Sequence, residues 1–246
     1  RYICTSLRKR FLFQDLSGEI PEEFIIIGRF LLTIALIASA MIIMASASEE
    51  AGSITPELAL QQLMEGNLRY AQGNASHPHQ SLEQRAELVS GQHPFAVILG
   101  CSDSRIPPEL IFDQGLGDVF VIRTAGEVVD NASLASIEYA VDHLGVPLVM
   151  VLGHDSCGAV TAAVQGGEAE GHLGSLMDFI RPAVEQAREA GEGSDLLNGS
   201  IDNNVFNIVE ALKSSQPVLS EKVEAGELMI LGARYRLDSG LVEILE

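Results

Sequence analysis

"VILGCSDSRIPPELIF" (residues 97–112) and "VMVLGHDSCGAV" (residues 149–160) are the two stretches that decide the predicted fold. Each contains a short apolar run that ends in a glycine and is followed at once by side chains that bind metals or protons. These side chains are Cys101, Asp103, Arg105, His154 and Cys157. Runs that are apolar on both faces are typical of strands in a parallel sheet covered by helices. We therefore predict a buried strand before each polar cluster.

The rest of the chain from residue 54 onward alternates between helix and strand patterns. Strands are predicted at 95–100, 118–123, 147–153 and 227–235, with an edge partner at 240–245. Helices are predicted at 55–73, around 82–91, and at 132–145, 158–165, 173–191 and 204–215. This alternation predicts an α/β fold with a central, mostly parallel sheet flanked by helices.

Composition limits the classes of partner. The 246 residues include 15 Lys and Arg against 34 Asp and Glu, a net charge of −19. Nucleic acids and anionic membrane surfaces are bound through clustered basic side chains, so the acidic balance argues against both. We predict one catalytic domain over residues 48–246.

The first 47 residues resemble a leader segment. Residues 30–44 form an apolar run of about 15 residues, which is shorter than the roughly 20 that a membrane-spanning helix needs. Ala45, Ser46 and Ala47 follow as a small-residue cleavage pattern. We predict export to the periplasm or the extracellular space, with no stable membrane span in the mature chain. The alternatives to a leader are a buried helix and an incorrectly assigned start, and with an incorrectly assigned start the protein would be cytoplasmic.

The two polar clusters suggest a metal site. The carboxyl ends of neighbouring parallel strands meet at one edge of a sheet, where ligands gather. Two thiolates and one imidazole, with one carboxylate as a candidate fourth ligand, form a tetrahedral zinc set, because soft sulfur ligands favour zinc over magnesium or calcium. A disulfide between Cys101 and Cys157, or two ordinary buried thiols, are the alternatives that the residues leave open.

Taken in order and spacing, several motifs resemble the β-class carbonic anhydrases over roughly residues 55–246. They are "GNLRYAQG", "GQHPFAVILGCSDSRIPPELIFDQGLGDVFVIRTAG" and "ASIEYAVDHLGVPLVMVLGHDSCGAV". The resemblance implies a sheet of about four parallel strands with an antiparallel edge strand, and an N-terminal helical arm over residues 55–73. It also implies one Zn²⁺ per subunit, held by Cys101, His154 and Cys157.

The family's activity is the zinc-dependent, reversible hydration of carbon dioxide to bicarbonate and a proton, by attack of zinc-bound hydroxide. The resemblance implies that Asp103 and Arg105 form a dyad beside the metal. Asp103 either stays bound to Arg105 or moves onto the metal as its fourth ligand and closes the site.

Four further positions match substrate-binding positions of the family. They are Gln92, a hydrogen-bond donor to substrate, Phe120 and Tyr139, which line an apolar pocket, and Gly158, where a side chain would crowd the metal loop. Ordinary core packing is an equally good interpretation of both aromatic residues. Many relatives carry amides where this chain has Thr124 and Glu127. The chain has no tryptophan, so a tryptophan-containing bicarbonate site of some bacterial members cannot be complete.

The arm predicts a homodimer or a tetramer, because an amphipathic helix without a partner in its own chain buries its apolar face elsewhere. Pocket residues would then come from two chains. Two other functions remain open at this point. One is a related hydrolase of carbonyl sulfide or carbon disulfide, and the other is a non-catalytic zinc-binding or redox protein in which Asp103 permanently occupies the fourth site.

Overall fold

A computed structural model describes residues 54–167, 169–191 and 193–245 of the chain. The leader predicted at residues 1–47 lies outside these residues. Residues Ile54–Glu246 are grouped as one unit by their contacts. No helix among the described residues is long and apolar enough to cross a membrane.

The described strands form one five-stranded sheet. They are β1 (Ala96–Cys101), β2 (Val119–Thr124), β3 (Leu148–His154), β4 (Met229–Tyr235) and β5 (Val242–Ile244), in the order β2-β1-β3-β4-β5. The first four strands run parallel, and β5 pairs antiparallel with β4 at one edge. The predicted α/β architecture is therefore confirmed, including the antiparallel edge strand.

Helices connect and cover the strands. They are α1 (Pro56–Ala71), α2 (Leu82–Glu87), α3 (Pro108–Ile111), α4 (Asn131–His143), α5 (Gly158–Gln165), α6 (Leu173–Glu189), α7 (Leu196–Lys213) and α8 (Val218–Glu224). The helix α1 begins as predicted, since the Thr55 hydroxyl accepts a hydrogen bond from the Leu58 N–H and Pro56 occupies the first turn.

The central strands are buried on both faces. Ile98 of β1 packs in one cluster with Leu63 of α1, whereas Leu99 packs on the opposite face with Ile137 of α4. Every residue of β1 and β3 is buried, while every residue of the edge strand β2 is only half-buried. This burial confirms the prediction from the continuous apolar runs that the central strands are covered by helices on both sides.

The strands β1 and β3 extend one residue further than predicted. Cys101 and His154 are the last residues of these strands rather than the first residues of loops. The backbone hydrogen bonds of the sheet therefore fix the positions from which both side chains leave the chain.

The helix α7 lies unusually close to the sheet. A Cβ atom added at Gly153 of β3 or at Gly232 of β4 would lie 2.6 Å from a methyl carbon of Val205. Both glycines therefore let the helix approach the backbone of two neighbouring strands. This approach brings polar residues of α7 within reach of the carboxyl end of the sheet.

Candidate metal centre

Three potential metal ligands converge at the carboxyl end of the sheet. Cys101 ends β1, His154 ends the neighbouring strand β3, and Cys157 is the residue before the first turn of α5. One ligand atom from each side chain lies within 4.8 Å of the other two. Cys101 is 53 positions from His154 and 56 from Cys157, and their predicted convergence follows from the parallel pairing of β1 with β3.

The distances fit zinc rather than a disulfide. The two Sγ atoms are 4.0 Å apart, whereas a disulfide holds them at about 2.05 Å. Two thiolates on a tetrahedral zinc, each about 2.3 Å from the metal, would lie about 3.8 Å apart. The Nε2 atom of His154 is buried and has no hydrogen-bond partner, as expected of a nitrogen reserved for a metal. The donor set therefore fits Zn²⁺.

The two thiols share charge unequally. The hydrogen bond from Cys157, together with contacts from His154 and the Gly126 N–H, lowers the pKa of Cys101 to about 4. The hydrogen bond to Cys101, together with burial, raises the pKa of Cys157. Of the two thiols, Cys101 is therefore the one that loses its proton more readily. A bound cation would favour the loss of the second proton, because metal ligands must be deprotonated.

The Cys101 sulfur also accepts a backbone hydrogen bond. Gly126, in the short 3₁₀ turn Ala125–Glu127 after β2, donates its N–H to Sγ at 3.2 Å. Gly126 has a φ of 68°, a conformation that favours glycine. A Cβ there would lie 2.8 Å from Ile180 Cδ1. This turn therefore requires a glycine for both its backbone conformation and its packing.

Asn204 and Glu127 stabilise this turn, and neither has a role predicted from the sequence. Asn204 of α7 donates to the Gly126 carbonyl at 3.0 Å and to Glu127 Oε1 at 3.2 Å. Glu127 is fully buried, its Oε2 has no hydrogen-bond partner, and burial and the charge of Cys101 raise its pKa to about 8. The departure at Glu127 from the amides of many relatives was the available signal.

The dyad adopts the arrangement in which Asp103 is bound to arginine. Arg105 donates from Nε to Oδ1 at 2.9 Å and from Nη2 to Oδ2 at 2.6 Å, and its backbone N–H also bonds Oδ1. The Arg105 hydrogen bond holds the pKa of Asp103 well below its usual range. Asp103 is not part of the group formed by Cys101, His154 and Cys157. Its role as a fourth ligand stays a prediction.

Within the same chain, the predicted pocket residues lie away from the three potential metal ligands. Phe120 is paired with Val97, four residues before Cys101 on β1, which corresponds to about 13 Å along the strand. Tyr139 of α4 lies beside Phe120, with ring centroids 6.3 Å apart. Gln92 is exposed in the segment that leads into the amino end of β1.

The space around Gly158 is open within this chain. A Cβ added there would have no heavy atom within 4 Å outside the two adjoining residues and the backbone of its own helix. Gly158 begins α5 directly after Cys157, so its backbone is close in sequence to the ligand. Its substrate-binding role stays a prediction.

Comparisons with known proteins agree with this geometry. Residues 96–242 match the family model described as carbonic anhydrase. Carbonic anhydrase 2 of Mycobacterium tuberculosis is 46% identical over 189 residues, which cover 75% of this chain and 90% of that protein. Carbonic anhydrase of Mycolicibacterium smegmatis is 42% identical over 193 residues, which cover 77% and 93%.

Solved structures give the same result. A tetrameric β-carbonic anhydrase from Sordaria macrospora matches with a TM-score of 0.63 and 27% identity, over 76% of this chain and 96% of that one. The β-carbonic anhydrase CafA of Aspergillus fumigatus matches with a TM-score of 0.60 and 31% identity, over 77% and 90%.

Proposed function

Because the chain belongs to the β-class carbonic anhydrase family, whose members are enzymes of carbon dioxide hydration, we propose that it converts carbon dioxide and water to bicarbonate and a proton at a zinc centre. The observation that carries the proposal is the buried group of Cys101, His154 and Cys157. Its spacing fits zinc, and its histidine presents an unpartnered Nε2. The proposed ligands are these three side chains.

Zinc bound there would supply a Lewis acid that lowers the pKa of water to about 7 and so provides a nucleophile at neutral pH. The protein must keep one position open for that water. Arg105 serves this need by holding both oxygens of Asp103 through a bidentate contact. A carboxylate held in this way can still accept a hydrogen bond from a donor beside the metal position.

The outlying pocket residues support a pocket built from two chains. Tyr139 is 46% exposed, and Gln92 is exposed, although both match substrate-binding positions. Leu58 and Leu68 of the α1 arm are also about half-exposed. Burial of such side chains against a second copy would be favourable. We therefore propose a homodimer as the minimum assembly, in which Gln92, Phe120 and Tyr139 reach the metal centre of the partner chain.

Stopped-flow measurement of carbon dioxide hydration from pH 6 to 9 tests the function. The zinc-loaded protein should hydrate carbon dioxide, and removal of zinc by a chelator should abolish the activity until zinc is restored. Inactive, fully zinc-loaded protein at the alkaline end of this range would contradict the proposal. A protein that hydrolyses carbonyl sulfide or carbon disulfide instead would also contradict it.

We further propose that residues 1–47 are a leader that is removed on export. The apolar run at 30–44 and the cleavage pattern Ala45-Ser46-Ala47 support this proposal. N-terminal sequencing of the protein from an exported fraction should begin at Ser48. A protein found only inside the cell with these residues intact would contradict it.

A further inference from the structure

Asp155 links the proposed histidine ligand to the neighbouring strand. The Nδ1 atom of His154 lies 2.9 Å from the Asp155 carbonyl oxygen. Donation of Nδ1–H to this oxygen leaves the lone pair of Nε2 for a metal. The Asp155 N–H in turn donates to the Tyr235 carbonyl of β4 at 3.1 Å. The position of the carbonyl, and hence the orientation of the imidazole, therefore depends on how Asp155 is held against β4.

The side chain of Asp155 is held by donors from β4 and the loop after it. Arg234 contacts Oδ1 from Nε at 2.8 Å and from Nη2 at 2.7 Å. Arg236 contacts the same oxygen at 3.3 Å, and the Leu237 N–H donates to Oδ2 at 3.3 Å. Arg234 makes the shortest of these contacts.

Arg234 is itself fixed by α7. Its side chain is 3% exposed, and its guanidinium also contacts Asp202 Oδ1 at 3.0 Å and both the carbonyl and the side-chain oxygen of Asn198. Asn198 and Asp202 lie one helical turn apart, so both face the same partner. The close approach of α7 at Gly153 and Gly232 makes these contacts possible.

We propose that Arg234 is a positioning residue for the metal centre, which acts through Asp155 to hold the His154 imidazole with Nε2 directed toward the ligand group. The inference rests on the proposed function in that it requires a metal at Cys101, His154 and Cys157. Arg234 contacts no ligand atom itself. Arg234 holds the Asp155 carboxylate against α7 and β4, and the Asp155 carbonyl in turn orients the His154 ring.

Substitution of Arg234 and Asp155 tests this role. Outer partners of ligating histidines typically contribute 10- to 100-fold to metal affinity. We expect Asp155→Asn to weaken zinc binding by about 10-fold and Arg234→Met by up to about 100-fold, with Arg234→Lys between Arg234→Met and the unaltered protein. Zinc affinity is measured by competition with a chromophoric chelator. The visible spectrum of the Co²⁺-substituted protein should change in the same order.

The matched control is Asp113→Asn. Asp113 also accepts hydrogen bonds from Arg69 Nε at 2.7 Å and from the backbone N–H groups of Ser76 and His77, and none of these bonds involves a ligand residue. This variant should lower Tm while leaving zinc affinity and the Co²⁺ spectrum unchanged.

A purely structural role for Arg234 would give a different result. Folded Arg234→Lys and Asp155→Asn proteins that lose Tm like the control, but bind zinc and Co²⁺ like the unaltered protein, would overturn the inference. If Arg234→Met does not fold, Asp155→Asn decides the outcome, because Arg234 keeps its contacts with Asp202 and Asn198 there.

The readouts separate this inference from the proposed function. An unaltered protein that binds zinc tightly without hydrating carbon dioxide would contradict the function and leave the metal-affinity comparison intact. Unchanged zinc binding in the variants of an active enzyme would contradict only the inference.

Discussion

The two ends of the central sheet differ in how fully a single chain buries the predicted site residues. At the carboxyl end, Cys101 is 4% exposed and His154 and Cys157 are fully buried, with hydrogen bonds that hold the surrounding loops. At the amino end, Tyr139 is 46% exposed and lies beside the half-buried ring of Phe120 and the exposed ring of His143.

This difference separates two properties that a carbonic anhydrase needs. A buried and internally supported ligand group can bind metal in a single chain. Half-exposed aromatic residues about 13 Å further along the sheet can contribute to a pocket only when another surface covers them. We therefore expect metal affinity to depend on the carboxyl end and turnover to depend on both ends.

Removal of a ligand should have the largest effect. Cys157→Ser replaces one of the two thiolates, and its loss should weaken zinc binding by more than about 100-fold, beyond the range seen for outer partners of a metal ligand. Activity should fall with the bound zinc. Equilibrium dialysis with metal analysis measures the affinity, and an unchanged far-ultraviolet circular dichroism spectrum serves as the control for folding. Tight zinc binding by this variant would contradict the assigned ligand group.

A change at the amino end should affect activity alone. Gln92→Leu removes the side-chain amide that we propose donates to the substrate oxygen, and loss of one such donor typically lowers turnover by about 100-fold. Zinc affinity should stay within about twofold, because distant sites act nearly independently. Stopped-flow hydration and zinc competition are measured on the same preparation. Gln165→Leu, at an exposed position at the end of α5, is the matched control and should retain full activity.

Loss of the arginine in the dyad should reduce activity at neutral pH. Arg105→Ala frees Asp103 to approach the fourth metal position, so we expect turnover to fall by about 10- to 100-fold while zinc remains bound. Hydration at pH 7 and metal content together check this outcome. Arg181→Ala removes an exposed arginine that contacts Asp178 at 2.6 Å and should leave activity unchanged. Undiminished hydration by Arg105→Ala would contradict the proposed role.

The smallest effect is expected from substitution of Asn204, which stabilises the turn next to the metal ligands. Asn204→Ala leaves the buried Gly126 carbonyl without its donor, which costs about 1–3 kcal/mol of unfolding free energy. It should also weaken zinc binding by up to about 10-fold, because the Gly126 N–H supports the Cys101 sulfur.

Asn207→Ala is the control on the same helix, since Asn207 contacts only the exposed Gln186 side chain through its amide. Denaturant unfolding measures the free energy of unfolding, and chelator competition measures the zinc affinity. Equal zinc affinity in both variants would show that the turn at Gly126 does not influence the metal.

The sequence predicted the strands well, because they follow from short-range apolar patterns, and it also predicted that Cys101, His154 and Cys157 converge at one edge of the sheet. Apolar runs followed by a glycine located β1 and β3 to within one residue. The residue pattern placed an edge partner at 240–245, and the resemblance implied that this strand is antiparallel; the structure confirms it as β5.

The beginning of α7 was missed for a physical reason. The structure begins this helix at Leu196, whereas the apolar pattern predicted a start at residue 204. Polar residues with low helix propensity and one glycine fill the first half of the helix, so the pattern there is weak. From this half of the helix, Asn198 and Asp202 contact Arg234, and Asn204 contacts the Gly126 turn. Long-range contacts of this kind leave no local pattern.

Mixing two inactive variants tests the division between the two ends most directly. A Cys157→Ser chain lacks a ligand but keeps Gln92, whereas a Gln92→Leu chain keeps all three ligands. In a dimer that contains one of each, a pocket built from two chains would combine the intact ligands of one with the intact Gln92 of the other. Random pairing makes half of the dimers mixed, so the mixture should recover about a quarter of the unaltered activity. Activity that stays at the sum of the separate variants after subunit exchange would contradict a shared pocket.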